Sequence, residues 1–86
     1  MTDRPGSDHG VTVRYWAGAR AAAGRSSDVV SATTVAQAVA AAVALRPTLG
    51  PVAAVATFLV DGRAATGEHP LAPGSTLEIL PPFAGG

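Results

Sequence analysis

The segment TTVAQAVAAAVALRP (Thr33–Pro47) constrains the fold more than any other stretch of the chain. Thr34 followed by Gln37 has the spacing of a capping box, in which the Thr hydroxyl accepts from the free N–H groups of a first helical turn. Val35, Ala38, Val39, Ala42 and Val43 then recur at helical spacing and make one apolar stripe. Arg46 suits the negative end of the helix dipole, and Pro47 stops the helix. No charge lies between Thr33 and Leu45. The outer face is therefore alanine, which is more often a tolerated surface than a contact surface.

What flanks this helix alternates with a period of two. VTVRYWA (Val11–Ala17) sets Val11, Val13 and Tyr15 against Thr12, Arg14 and Trp16, which predicts a strand with one face toward a core. GARAAAGRSS (Gly18–Ser27) reads as a connection holding one short helical turn. DVVSA (Asp28–Ala32) is a second short strand, paired antiparallel with the first. AVATFLV (Ala54–Val60) is the most apolar run and reads as a third strand. DGR (Asp61–Arg63) then supplies a turn in which Gly62 takes positive φ, with a short extra strand near Arg63–Ala65. EHPLAPGS (Glu68–Ser75) is a second turn region, and TLEIL (Thr76–Leu80) is the last strand. The order is strand, strand, helix, strand, strand (ββαββ), an α+β arrangement with a small sheet covered by one main helix. Residues 1–10 read as a flexible N-terminal segment, 11–80 as the domain and 81–86 as an extended tail.

Composition excludes several classes. Eighty-six residues make one domain, and such a chain buries roughly 60% of its unfolded surface, which leaves little room for a deep cleft. Hydrophobic residues make up 48%, so the chain reads as globular. Formal net charge is zero, so there is no basic footprint for nucleic acid or an anionic membrane. The polar start MTDRPGSDHG lacks the apolar core of a signal peptide, and a cytoplasmic location is the expectation. Thr33–Leu45 is shorter than the roughly 17–25 residues a membrane span needs.

Unaided catalysis is not provided for. The absence of Cys rules out disulfides, thiolate metal sites and a cysteine nucleophile. His9 and His69 lie far apart and make poor metal ligands. The glycines of GARAAAG lack the Gly-Lys-Ser/Thr ending of a phosphate-binding loop. Asp28, Asp61, Glu68 and Glu78 show no spacing that marks a paired acid and base. Lysine is also absent. That has two readings, a coding preference for Arg and Ala or the removal of amines that could attack an activated C-terminus.

LPPFAGG (Leu80–Gly86) carries the remaining signal. Pro81 and Pro82 have no N–H, so strand pairing stops there. Each also pushes the residue before it toward extended geometry. From Pro81 onward the chain can reach roughly 20 Å, enough to enter a partner's active site. Pre-extended prolines reduce the ordering cost of insertion, about 1–2 kcal/mol per flexible residue. Gly85 and Gly86 offer backbone without Cβ, which a narrow tunnel can grip closely. The terminal carboxylate is ionised near neutral pH and a poor electrophile, so it needs activation by an ATP-using partner before it can accept sulfur or an amine.

On these residues the chain resembles the small subunit of molybdopterin synthase, the MoaD-type sulfur carriers within the ubiquitin-like β-grasp proteins, from Val11 to Gly86. YWAGARAAAG (Tyr15–Gly24) is similar to the family's aromatic-aromatic-Ala-x-x-Arg segment, with Arg20 at the Arg position. HPLAPGSTLEILPPFAGG (His69–Gly86) is similar to its closing segment. Departures are Ala21 where an acidic residue is usual, Ser75 where Asp is common, and Asp61 where Asn is common.

The resemblance implies a β-grasp fold and a mechanism. An E1-like adenylyltransferase uses ATP and Mg to form an acyl-adenylate at Gly86. A sulfur donor (a sulfurtransferase) displaces AMP and leaves a thiocarboxylate. The loaded tail enters the synthase large subunit, which moves the sulfur to precursor Z, within a heterotetramer. The implied partner-binding residues are Arg20, Pro81, Pro82, Phe83, Ala84 and Gly85, and no cofactor is held by the chain itself. Three neighbouring readings stay open: carriage for thiazole or cysteine synthesis, modification of protein lysines, and an interaction module with an idle tail.

Overall fold

The computed structural model describes residues 10–82. The expectations placed on 1–9 and on Phe83, Ala84, Gly85 and Gly86 lie outside the described residues.

Five strands form one mixed sheet: β1 (Gly10–Tyr15), β2 (Ser27–Ser31), β3 (Thr57–Val60), β4 (Arg63–Ala65) and β5 (Thr76–Leu80), in spatial order β2-β1-β5-β3-β4. β1 and β5 are parallel, with Val13 opposite Leu77 and Tyr15 opposite Ile79. The β1–β2, β3–β5 and β3–β4 pairs are antiparallel. This is an α+β, ubiquitin-like β-grasp fold. A parallel pair needs a long crossover, and here it holds the α-helices α1 (Ala17–Ala23), α2 (Val35–Leu45) and α3 (Gly50–Ala53), with a 3-10 turn at Pro47–Leu49 between the last two.

One face of the sheet is buried. Val11, Val13, Tyr15, Leu77 and Ile79 are almost or wholly inaccessible, and Val35, Ala38, Ala42 and Leu49 cover them from the helical layer. These helix positions follow the expected stripe, with Val39 and Val43 half-buried at its margin. The opposite face carries Thr12, Arg14, Leu59, Glu78 and Leu80, all exposed or half-buried.

Local chemistry sets the ends of α2. Thr34 Oγ1 accepts from Gln37 N–H at 3.2 Å, as the capping spacing predicts. The Gln37 side chain reaches one residue further back than in a standard capping box, accepting from Thr33 N–H (2.9 Å) and the Thr33 hydroxyl (2.8 Å). Two further N–H groups of the first turn are met by the loop before β5. Val35 donates to the His69 carbonyl at 3.0 Å and Ala36 to that of Gly67 at 2.8 Å. His69 thus acts through its backbone.

Two elements differ most from the sequence expectation. The connection after β1 holds a seven-residue helix, α1, closed by Gly24 in the left-handed conformation at φ 77°. The third strand starts at Thr57, not Ala54. Pro51 sits in the first turn of α3, where its missing N–H is harmless, and Ala54 N–H closes that helix onto the Gly50 carbonyl. The last strand lies at the centre of the sheet, so the chain leaves from a strand end flanked on both sides. The Asp61–Gly62 turn matches a two-residue hairpin, both residues at positive φ (48° and 89°). Asp61 Oδ1 also accepts from Thr76 N–H, tying the hairpin to β5.

Leu49 is fully buried beyond the end of the periodic helix. Leu49→Ala is expected to lower unfolding free energy by about 2–5 kcal/mol, measured by denaturant titration.

Candidate functional site at the end of the central strand

Because β1 and β5 run parallel, their C-terminal ends lie at the same end of the sheet. Tyr15 pairs with Ile79, and Trp16 N–H donates to the Ile79 carbonyl at 3.2 Å. α1 therefore begins beside the point where β5 gives way to Pro81. Pro81 is buried and Pro82 exposed. The first proline is thus packed as part of the body, and the second is the first solvent-facing residue of the Pro-Pro pair.

Trp16 stands next to this exit, 38% exposed, with the Arg14 guanidinium 4.8 Å from its ring centroid. The cation lies over the ring face, where the aromatic quadrupole attracts it. Ala17 follows with φ 46°, a left-handed conformation that is strained for a residue with a Cβ. Arg20, the expected partner contact, is exposed on α1 and lines an open depression with Ala17, Ala21, Gly24, Arg25 and Ser26. The structure thus brings Arg20, Pro81 and Pro82 to elements that share one end of the domain.

The departures from the family pattern also have places in the fold. Ser75 is buried; its N–H donates to Ala72 and its carbonyl accepts from Thr12. Ala21 faces solvent on α1.

Sequence reasoning missed the charge network that anchors this end. Asp28 Oδ2 accepts from the Tyr15 hydroxyl at 2.8 Å and from Arg46 Nε at 3.1 Å, while Arg46 Nη2 donates to Oδ1 at 2.9 Å. Arg25 Nε lies 3.3 Å from the same carboxylate. The available signal was parity: Asp28 alternates in phase with inward-facing Val30, so its carboxylate had to find partners inside. The Arg46 hydrogen bonds hold the Asp28 carboxyl below its usual range, with help from Tyr15. Burial, followed by the hydrogen bond to Asp28, pushes the Tyr15 hydroxyl well above its usual range.

Among the described residues no group of three or more His, Cys, Asp and Glu converges on a metal-sized site, and no helix is long and apolar enough to cross a membrane.

Two measurements test the network. Asp28 has a lowered folded-state pKa, so its stabilising contribution is complete above the unfolded value of about 3.9 and is lost as pH falls through the folded value. The wild-type melting temperature is therefore expected to drop on acidification below about pH 4, and Asp28→Asn to be less stable at pH 7 with a flatter acid limb. Tyr15 is the single tyrosine. Its phenolate absorbance is expected to appear above the ordinary midpoint of about pH 10, and Asp28→Asn to move it back toward that value.

Comparison with known proteins agrees with this architecture. SAMP1 of Haloferax volcanii superposes with a TM-score of 0.80 at 26% identity, covering 90% of this chain and 99% of that one. SAMP1 of Methanosarcina acetivorans gives 0.80 at 23% identity, covering 90% and 96%. A Pyrococcus furiosus protein described as a candidate molybdopterin converting factor, subunit 1, gives 0.77 at 19% identity, covering 86% and 98%. No curated protein sequence matches the chain. The ThiS family model matches residues 13–86, and a match over that span, on a β-grasp sheet whose central strand leads into Pro-Pro, places this chain in the ThiS family.

Proposed function

We propose that this protein carries sulfur on the carboxylate of Gly86 for molybdopterin synthesis, as the small subunit of a two-component synthase. Family membership supports the coarser statement, that it is a ThiS/MoaD-type sulfur carrier or a ubiquitin-like modifier. The observation that carries the proposal is the extent of the family match, which runs through β5 and the Pro-Pro pair to Gly86.

In this reading the folded body delivers and the tail reacts. An E1-like adenylyltransferase, using ATP and Mg, joins the Gly86 carboxylate to AMP and releases pyrophosphate. The terminal sulfur of a sulfurtransferase persulfide attacks the carbonyl and AMP leaves. A second thiol then attacks the donor-side sulfur of the resulting acyl disulfide, forming a new disulfide and releasing the thiocarboxylate. The synthase large subunit then receives the tail, and sulfur passes to precursor Z. Pro82, Phe83, Ala84 and Gly85 guide entry, Pro81 fixes the root of the tail, and Arg20 meets the partner from α1. The Pro-Pro-aromatic sequence before the closing glycines favours molybdopterin over thiazole or cysteine synthesis.

The second reading is protein modification, favoured by likeness to SAMP1 of Haloferax volcanii, whose full name is small archaeal modifier protein 1. One experiment separates the two. The full chain is incubated with an activating enzyme, ATP and a sulfur source, and its intact mass is measured. The mass gain of one oxygen exchanged for sulfur is expected; an unchanged mass beside a control carrier that loads would reject carriage. A ladder of covalent adducts on lysine-bearing proteins would favour modification. Deletion of Gly86 is expected to abolish loading while leaving the melting temperature unchanged.

A further inference from the structure

The two edges of the sheet are unequal. β4 spans only Arg63–Ala65, whereas β2 spans five residues with an unbroken register against β1, from Gly10 opposite Ser31 to Arg14 opposite Ser27. Tyr15 N–H donates to the Ser26 carbonyl, which fixes the alternation: Ser26, Asp28 and Val30 direct their backbone groups toward β1. Those of Ser27, Val29 and Ser31 point outward. Among the described residues, the one hydrogen bond to this outer row is from Arg25 Nε to the Ser27 carbonyl, at 2.8 Å.

Edges of this kind are normally guarded by lysine, proline, a bulge or an inward-pointing charge. Ser27–Ser31 has no lysine, proline or bulge. Its inward charge, Asp28, is already paired with Arg46 and hydrogen-bonded by the Tyr15 hydroxyl, and so does not guard the edge. No residue of the outer row is itself charged, the Arg25 guanidinium reaching only its Ser27 end, and Val29 at its midpoint is 71% exposed.

We propose that this edge pairs with the same edge of a second copy of the chain. The row is self-complementary. In an antiparallel arrangement centred on Val29, each Val29 faces its counterpart and each Ser27 faces Ser31 of the other copy. Roughly six main-chain hydrogen bonds can then form. No like charges meet along the row, and the two exposed valines cover each other. The two-fold axis stands perpendicular to the sheet, giving one continuous ten-stranded sheet. β5 then runs in opposite directions in the two copies, so their tail exits lie at opposite ends and both stay accessible. A single short edge buries less than a standard interface, so the pairing is a weak, reversible one. It is independent of what the tail carries.

Sedimentation equilibrium on the full chain, from micromolar to millimolar, tests the proposal. The weight-average mass is expected to rise toward twice the monomer. Over the same range, amide NMR signals of Ser27, Val29 and Ser31 are expected to shift and their exchange with solvent to slow. Val29→Lys is expected to weaken association by at least about tenfold while its spectrum stays folded. A mass constant at the monomer value would overturn the proposal. So would concentration-dependent shifts centred on another surface, such as Trp16 and Leu80, or a Val29→Lys variant that associates like the wild type.

Discussion

The parallel contact between β1 and β5 organises everything else in this molecule. Two strands far apart in sequence run side by side in the same direction, so the chain between them has to return across the sheet. That return path is where α1, α2 and α3 form and where the core closes. It also fixes the polarity of the domain: the end of β1, the start of α1 and the departure of the chain from β5 all share one end of the sheet.

Burial on one face supports that contact, and the polar network keeps the two layers in register. The buried core is mostly valine and alanine, with Leu49, Leu77 and Ile79 its largest fully buried side chains, and directional interactions fasten α2 at both ends. At one end Thr34 and the carbonyls of Gly67 and His69 receive the first turn of α2. At the other, Arg46 grips Asp28, which also holds Tyr15. The helix is thus fastened at both ends to the β layer or to the loop that leads into β5.

The fold was legible where a signal was local. The helical stripe, the Asp61–Gly62 hairpin and the alternation of β1 and β5 could all be read from the residues, and the resemblance supplied the β-grasp topology. The start of β3 could not, because Ala54–Ala56 suit a strand as well as a helix end, and the short helix led by Pro51 decides between them. The centrality of β5 is a long-range property that no window of sequence contains. Asp28 was overlooked as a partner for Arg46 because its pairing depends on where a helix ends relative to a strand. Of the candidate site, Arg20, Pro81 and Pro82 occupy one end of the domain, and the buried Pro81 shows that the body extends one residue past the strand. Trp16 read as a strand residue; it is the residue just before α1, half in the strand geometry and stacked with Arg14.

The direction of the two central strands has a mechanical consequence. Tension applied between Gly10 and Pro82 pulls β1 and β5 past one another lengthwise, since one strand is held at its beginning and the other at its end. The hydrogen bonds joining them then bear the load together and cannot peel away singly. β3 braces the far side of the same strand. Pulled between these two points, the protein would resist through the whole β1–β5 ladder at once, whereas the β3–β4 hairpin, drawn apart at its open end, would unzip bond by bond.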